Sequence, residues 1–168
     1  MTEFEDLVES VCTYTAKAAE KLRKEHQRAS GMNIYFQYYP EYQPKPLEGG
    51  YTSTTITFDT PTSNTGRMLS VITPKLRGIF IPGRRYKKSG VMFFGLESAL
   101  NRQIGLFADT ATEEKDERLS KALDKINAKY GRGTIFHLSE GIAKPWQMWR
   151  DMLTPNYTTS WSQIPVVK

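Results

Sequence analysis

Cysteine is nearly absent from the chain: there is one, Cys12, beside two histidines, His26 and His137. A single thiol excludes an internal disulfide framework and fits a reducing cytoplasm. The two histidines lie far apart in sequence and make no recognisable zinc set with Cys12. Cys12 falls near an apolar stripe, where a core thiol is the expectation rather than a nucleophile. His137 is expected in a short strand, as a structural histidine. No apolar run reaches the roughly 18 residues of a membrane span, so no membrane partner is expected. The acidic start MTEFEDLVES lacks the apolar centre of a secretory signal. The glycines of EGG (48–50) and GRG (131–133) are turn chemistry, and neither stretch leads into the Lys-Ser/Thr that cradles phosphate. Carboxylates are numerous, yet no pair stands out as a two-metal site, and no independent active site is expected.

The most telling absence is local. Residues 60–96 contain seven basic side chains and no acidic one, whereas residues 97–117 contain six acidic and two basic. Residues 118–168 turn basic again, with eight positive and three negative groups. A basic block free of carboxylates attracts a polyanion. The competing reading is an ordinary solvated face.

What is present suits a folded chain of one domain or two small ones. Of 168 residues, 39% are hydrophobic and 12% aromatic, which is enough to build a core. Phe4, Leu7, Val8, Val11, Thr15, Ala18, Ala19 and Leu22 recur at helical spacing, predicting a helix from residue 3 to about 28. Thr2 is its expected N-cap and Gly31 its stop. MNIYFQYYP (32–40) and YTSTTITF (51–58) read as an antiparallel strand pair. A second helix is expected over 64–80, kinked at Pro74. A third strand follows in PGRRYKKSGVMFFGL (82–96). The order α-β-β-α-β is most of a ferredoxin-like βαββαβ unit, lacking its first strand. After a polar tether, EEKDERLSKALDKINAKYG (113–131) reads as a helix. Its apolar face is Leu119, Ala122, Leu123, Ile126 and Tyr130, and Gly131 follows as C′ residue. The tail holds Trp146, Trp149 and Trp161 and is expected to be irregular but packed. Stacking of Trp146, Trp149, Tyr157 and Trp161 on single-stranded DNA is the alternative there.

In VCTYTAKAAEKLRKEHQ (11–27), PGRRYKKSGVM (82–92), QIGLF (103–107), INAKYGRGT (126–134), WQMWRDMLTPNYTT (146–159) and IPVVK, the chain resembles the C-terminal half of UmuC-type subunits of DNA polymerase V. These are Y-family translesion polymerases. The resemblance covers nearly the whole chain, in order. It implies an α+β fold with a little finger DNA-binding domain at 1–96. A tether at 97–112 and a small UmuC-type domain at 113–168 would follow. It further implies that the catalytic palm and its magnesium-binding carboxylates lie upstream and are missing. No polymerase activity and no cofactor are then expected of this chain alone. Pro74 departs from the family's uninterrupted helix.

The resemblance also implies two sites. A Gln-x-x-Leu-Phe segment after the little finger binds the replicative sliding clamp, and Gln103, Ile104, Leu106 and Phe107 match it here. Leu106 and Phe107 would fill an apolar pocket, worth roughly 3–6 kcal/mol before ordering costs. Internal packing of this pair is the rival reading. For DNA, Arg84, Arg85, Lys87 and Lys88 enter the last strand, and Thr52, Ser53 and Thr54 lie on a neighbour. Lys88 and Arg85 are the expected phosphate contacts, with Thr52 and Thr54 as hydroxyl donors. The family's further partners are the UmuD′ dimer and the RecA filament. A regulatory fragment or remnant that occupies the clamp is the alternative role.

Overall fold

The computed structural model describes residues 1–39, 50–100, 110–148 and 153–164. Helix α1 spans Phe4–Lys24 and buries Leu7, Val11, Cys12, Ala19 and Leu22. Strand β1 (Gln27–Tyr38) follows, then β2 (Gly50–Thr62), short helices α2 (Thr65–Ser70) and α3 (Ile72–Arg77), strand β3 (Tyr86–Ser98) and helix α4 (Thr110–Tyr130). Among the described residues no helix is long and apolar enough to cross a membrane.

The expected start and stop of the first helix are both displaced. Its N-cap is Glu3, without a side-chain cap, and the Thr2 hydroxyl bonds the Glu3 carboxylate instead. The helix ends at Lys24 because His26 turns to a left-handed φ of 51°. Gly31 is not the stop but an interior residue of β1, beside a register shift between Ala29 and Gly31. A Cβ there would lie 2.4 Å from the Phe94 ring and 2.5 Å from the Ile56 carbonyl oxygen. The expected helix over 64–80 is two pieces meeting at Val71. Asn64 caps the first piece by accepting from the Arg67 amide at 2.9 Å. Pro74 has no N–H to bond the Ser70 carbonyl, and its ring crowds that carbonyl. It therefore falls in the first turn of α3, where no donor is needed.

The sheet has three antiparallel strands in the order β2-β1-β3. The succession α-β-β-α-β does not by itself fix which strand is central; here it is β1. Met1 exchanges two backbone bonds with Tyr86, one at 3.1 Å and one at 2.9 Å, at the outer edge of β3. The core lies between one sheet face and the helices. Met32, Ile34 and Phe36 of β1 and Ile56 of β2 meet Leu7 and Val11 of α1, with Leu69, Ile72 and Leu76. A smaller cluster joins Ala19, Leu22, Ala29 and Met68. Both are built from residues 1–93. The arrangement is the α+β one expected.

The C-terminal part differs from expectation. Helix α4 buries Ser120, while Leu119 and Tyr130 of its apolar stripe are exposed. It is held instead by charge. Arg23 meets Asp124 at 2.7 and 2.8 Å, and Arg67 meets Asp116 at 3.3 Å and Glu113 at 3.7 Å. Residues 133–141 are a loop with a 3₁₀ turn at Leu138–Glu140, not a strand. His137 opens that turn, its amide bonded to Glu140 Oε1 at 3.0 Å. Gly131 does follow α4 as expected, with φ 109° and its amide on the Asn127 carbonyl. Trp146 packs on Tyr14 at 5.8 Å, but Trp161 is 91% exposed. The described part of the tail therefore forms no core of its own.

Candidate nucleic-acid interface

Strand pleating decides which side chains reach the sheet face that the helices leave open. In β1 the even positions Met32, Ile34 and Phe36 are buried, so Asn33, Tyr35 and Gln37 point away from the core. Register carries this parity across the sheet. Tyr51, Ser53 and Thr55 of β2 sit opposite Gln37, Tyr35 and Asn33. Lys88, Gly90 and Met92 of β3 sit opposite the same three residues on the other side.

The open face carries polar and aromatic side chains. Asn33 Nδ2 donates to Thr55 Oγ1 at 3.0 Å. The Tyr35 and Tyr51 rings stack at 5.8 Å with 21° between their planes. Gly90 makes room for the Tyr35 ring, since a Cβ there would lie 2.3 Å from Cζ. Tyr51, Ser53, Thr55, Lys88 and Met92 are all exposed.

Basic side chains gather at one end of the sheet. Arg84 lies 3.9 Å from the centre of the Tyr38 ring, and Arg85 and Lys87 lie over Tyr39 at 5.3 and 5.5 Å. A register shift between Gln37 and Tyr38 leaves Lys87 unpaired in the β1–β3 ladder; it lets Tyr86 turn into the core while Lys88, in step with Gly90 and Met92, faces outward. Among the described residues none of these four cations is in an ion pair. Their charge is thus free for an anion.

The expected hydroxyl set divides. Ser53 is on the open face, but Thr52 and Thr54 alternate with it and are half-buried on the helix-covered side. They face Phe36 and Ile34 across the ladder, so they cannot share a ligand with Lys88. Asn33, Tyr35, Gln37, Tyr51 and Thr55 join the face without having been singled out. Gln103, Ile104, Leu106 and Phe107 lie outside the described residues, as does Trp149. No group of three or more metal-ligating side chains occurs among the described residues.

Cys12 lies apart from this face. Burial pushes its thiol up from 9.0 to about 11; a Ser139 hydrogen bond opposes the rise, and nearby Glu140 and Glu9 add to it. A thiol so held is protonated near neutrality and is a poor nucleophile.

The chain is similar to proteins of a known family. A profile described as the impB/mucB/samB family C-terminal domain matches residues 1–106. A second, described as a domain of unknown function (DUF4113), matches residues 117–167. Protein UmuC of Salmonella typhimurium is 35% identical over 168 residues, the whole of this chain and 39% of its own length. Protein SamB of Salmonella typhimurium is 33% identical over the same span and fraction. Protein MucB of Escherichia coli is 30% identical over 161 residues, 96% of this chain and 37% of its own length. The chain thus spans well under half the length of these relatives.

Proposed function

The chain belongs to the impB/mucB/samB family of UmuC-type proteins, and on that premise we propose that it is a non-catalytic DNA-binding and clamp-binding part of an error-prone translesion polymerase. The observation that carries the reading is the open sheet face with its unpaired cations at one end. Lys88 and Arg85 contact phosphates of duplex DNA, with Lys87 and Ser53 beside them. Contacts of this kind hold the duplex in place without reading its sequence. That suits a module that must accept any template. Arg84 stabilises the strand end through Tyr38 and contributes charge more than contact.

Residues 103–107 add the second function. Leu106 and Phe107 enter an apolar pocket of the sliding clamp, and Gln103 bonds the pocket rim. Gly105 lets the backbone bend between the anchors. Joined to a DNA-binding face, even a weak clamp ligand gains effective concentration at a primer end. The chain by itself incorporates no nucleotide on this reading, and sustained incorporation by the purified chain would contradict it.

Two paired variants test the DNA face. Arg85→Glu with Lys88→Glu weakens binding to a short duplex by about a hundredfold, on the order of 3 kcal/mol for two reversed contacts. Thr52→Val with Thr54→Val leaves it unchanged. Equal losses from both pairs would remove the face from the account. For the clamp, Leu106→Ala with Phe107→Ala abolishes binding while the chain stays folded. Undiminished clamp binding would make the pair internal packing.

A further inference from the structure

A second concave surface lies mainly on the helix side of the molecule and reaches the β3 edge at Ser89, Gly90 and Val91, beside Tyr35. It is a cleft of about 1350 Å³ between α1, α4 and the loop after Gly131. Tyr14, Lys17, Lys21 and Lys24 line one wall. Their spacing of three, four and three puts them on a single stripe of α1. Arg132, Phe136 and Lys144 line the opposite loop.

The charge balance of this cleft is one-sided. Each acidic group in its lining is already engaged. Glu20 is paired with Lys24 at 2.6 Å, Asp116 with Arg67 and Asp124 with Arg23. Glu140 is buried and accepts the His137 amide. Among the described residues Lys17, Lys21, Arg132 and Lys144 have no ion pair. Aromatic faces stand beside the cations. Lys17 lies 5.8 Å from the Tyr14 ring centre, and Lys144 lies 5.4 Å from that of Phe136. Tyr14 and Phe136 are 40% and 41% exposed, so each keeps surface for a ligand.

We propose that this cleft binds single-stranded nucleic acid, with Lys17, Lys21, Arg132 and Lys144 on the phosphates and Tyr14 and Phe136 stacking on bases. Cations alternating with exposed rings are the chemistry of single-strand grooves. An acidic peptide would use the cations and leave the rings idle. The volume exceeds the roughly 300–1,000 Å³ of small-molecule pockets, which favours a stretch of polymer over a lone nucleotide. A duplex hides its base faces from the rings.

The test is fluorescence anisotropy of the full chain with a labelled oligothymidine of about twelve nucleotides, a length within the usual site sizes. An abasic oligomer and an oligoglutamate of equal length serve as competitors. Lys17→Glu with Lys21→Glu is made on one wall, and Arg132→Glu with Lys144→Glu on the other. Each is checked for an unchanged urea midpoint. Either pair should weaken oligothymidine binding by about tenfold or more. Tyr14→Leu with Phe136→Leu should weaken it about tenfold, as expected when two stacked bases are lost. Arg77→Glu should change it less than about twofold, because that exposed residue of α3 is outside the lining. Oligoglutamate or abasic competition as strong as that of oligothymidine would overturn the proposal, leaving only a charged surface. Insensitivity to both wall pairs would overturn it too, and neither result bears on duplex binding by the sheet face.

Discussion

At the scale of single residues, the strongest polar contact is Arg23. It bonds Asp124 with two nitrogens and also donates to the Ser63 carbonyl at 2.8 Å and the Thr65 hydroxyl at 2.9 Å. Its side chain is only 13% exposed, so these bonds are poorly screened. Arg23→Ala is expected to cost about 2–4 kcal/mol in urea unfolding, and Asp124→Ala less, because only the first orphans the Ser63 and Thr65 acceptors. Equal costs would mean that the 63–65 contacts carry no stability. Cys12 gives a pH prediction. The folded thiol keeps its proton up to about 11, while the unfolded one releases it from 9.0 upward. The unfolded state therefore binds fewer protons in that window, and stability falls as pH rises through it. The slope is at most about 1.4 kcal/mol per pH unit. Comparing urea midpoints of the chain and of Cys12→Ala across that window isolates the effect, which the variant should lack.

At the scale of elements, α1 and the turn at Leu138–Glu140 are tied by Thr13, whose hydroxyl donates to the Glu140 carbonyl at 3.1 Å inside the contact. Removing it with Thr13→Ala should raise the rate of Cys12 modification by a thiol reagent several-fold, since local opening exposes the thiol. An unchanged rate would mean that the turn does not guard it. The elements also mark what the sequence made legible. Alternation in β1 and the apolar period of α1 announced both elements. Parity in β2 was equally available: counting back by twos from Ile56 turns Thr54 and Thr52 inward. A run of hydroxyl and β-branched residues obscured that count. The end of α1 was not legible, because a left-handed His26 leaves no compositional mark. The period of α4 was plain, but its partner was not. Ion pairs to Arg23 and Arg67 join residues about a hundred and about fifty positions apart, and no local pattern reports them.

At the scale of the whole molecule, the proposed contacts draw on different elements of the chain. The open sheet face carries Lys88 and Arg85, the helix-side cleft carries Lys17 and Lys21, and residues 103–107 lie between β3 and α4 in sequence. The basic block 60–96 was visible from charge alone, and the family from its motifs. Which basic residues share a surface depended on strand order and register. The most direct measurement is duplex affinity as a function of salt, for the chain and for Arg85→Glu with Lys88→Glu. With about four phosphate contacts, affinity of the unaltered chain should fall about a hundredfold between roughly 50 and 200 mM salt. The variant should bind more weakly and with a slope shallower by about two. A slope near zero, or one that the variant leaves unchanged, would contradict binding through this face.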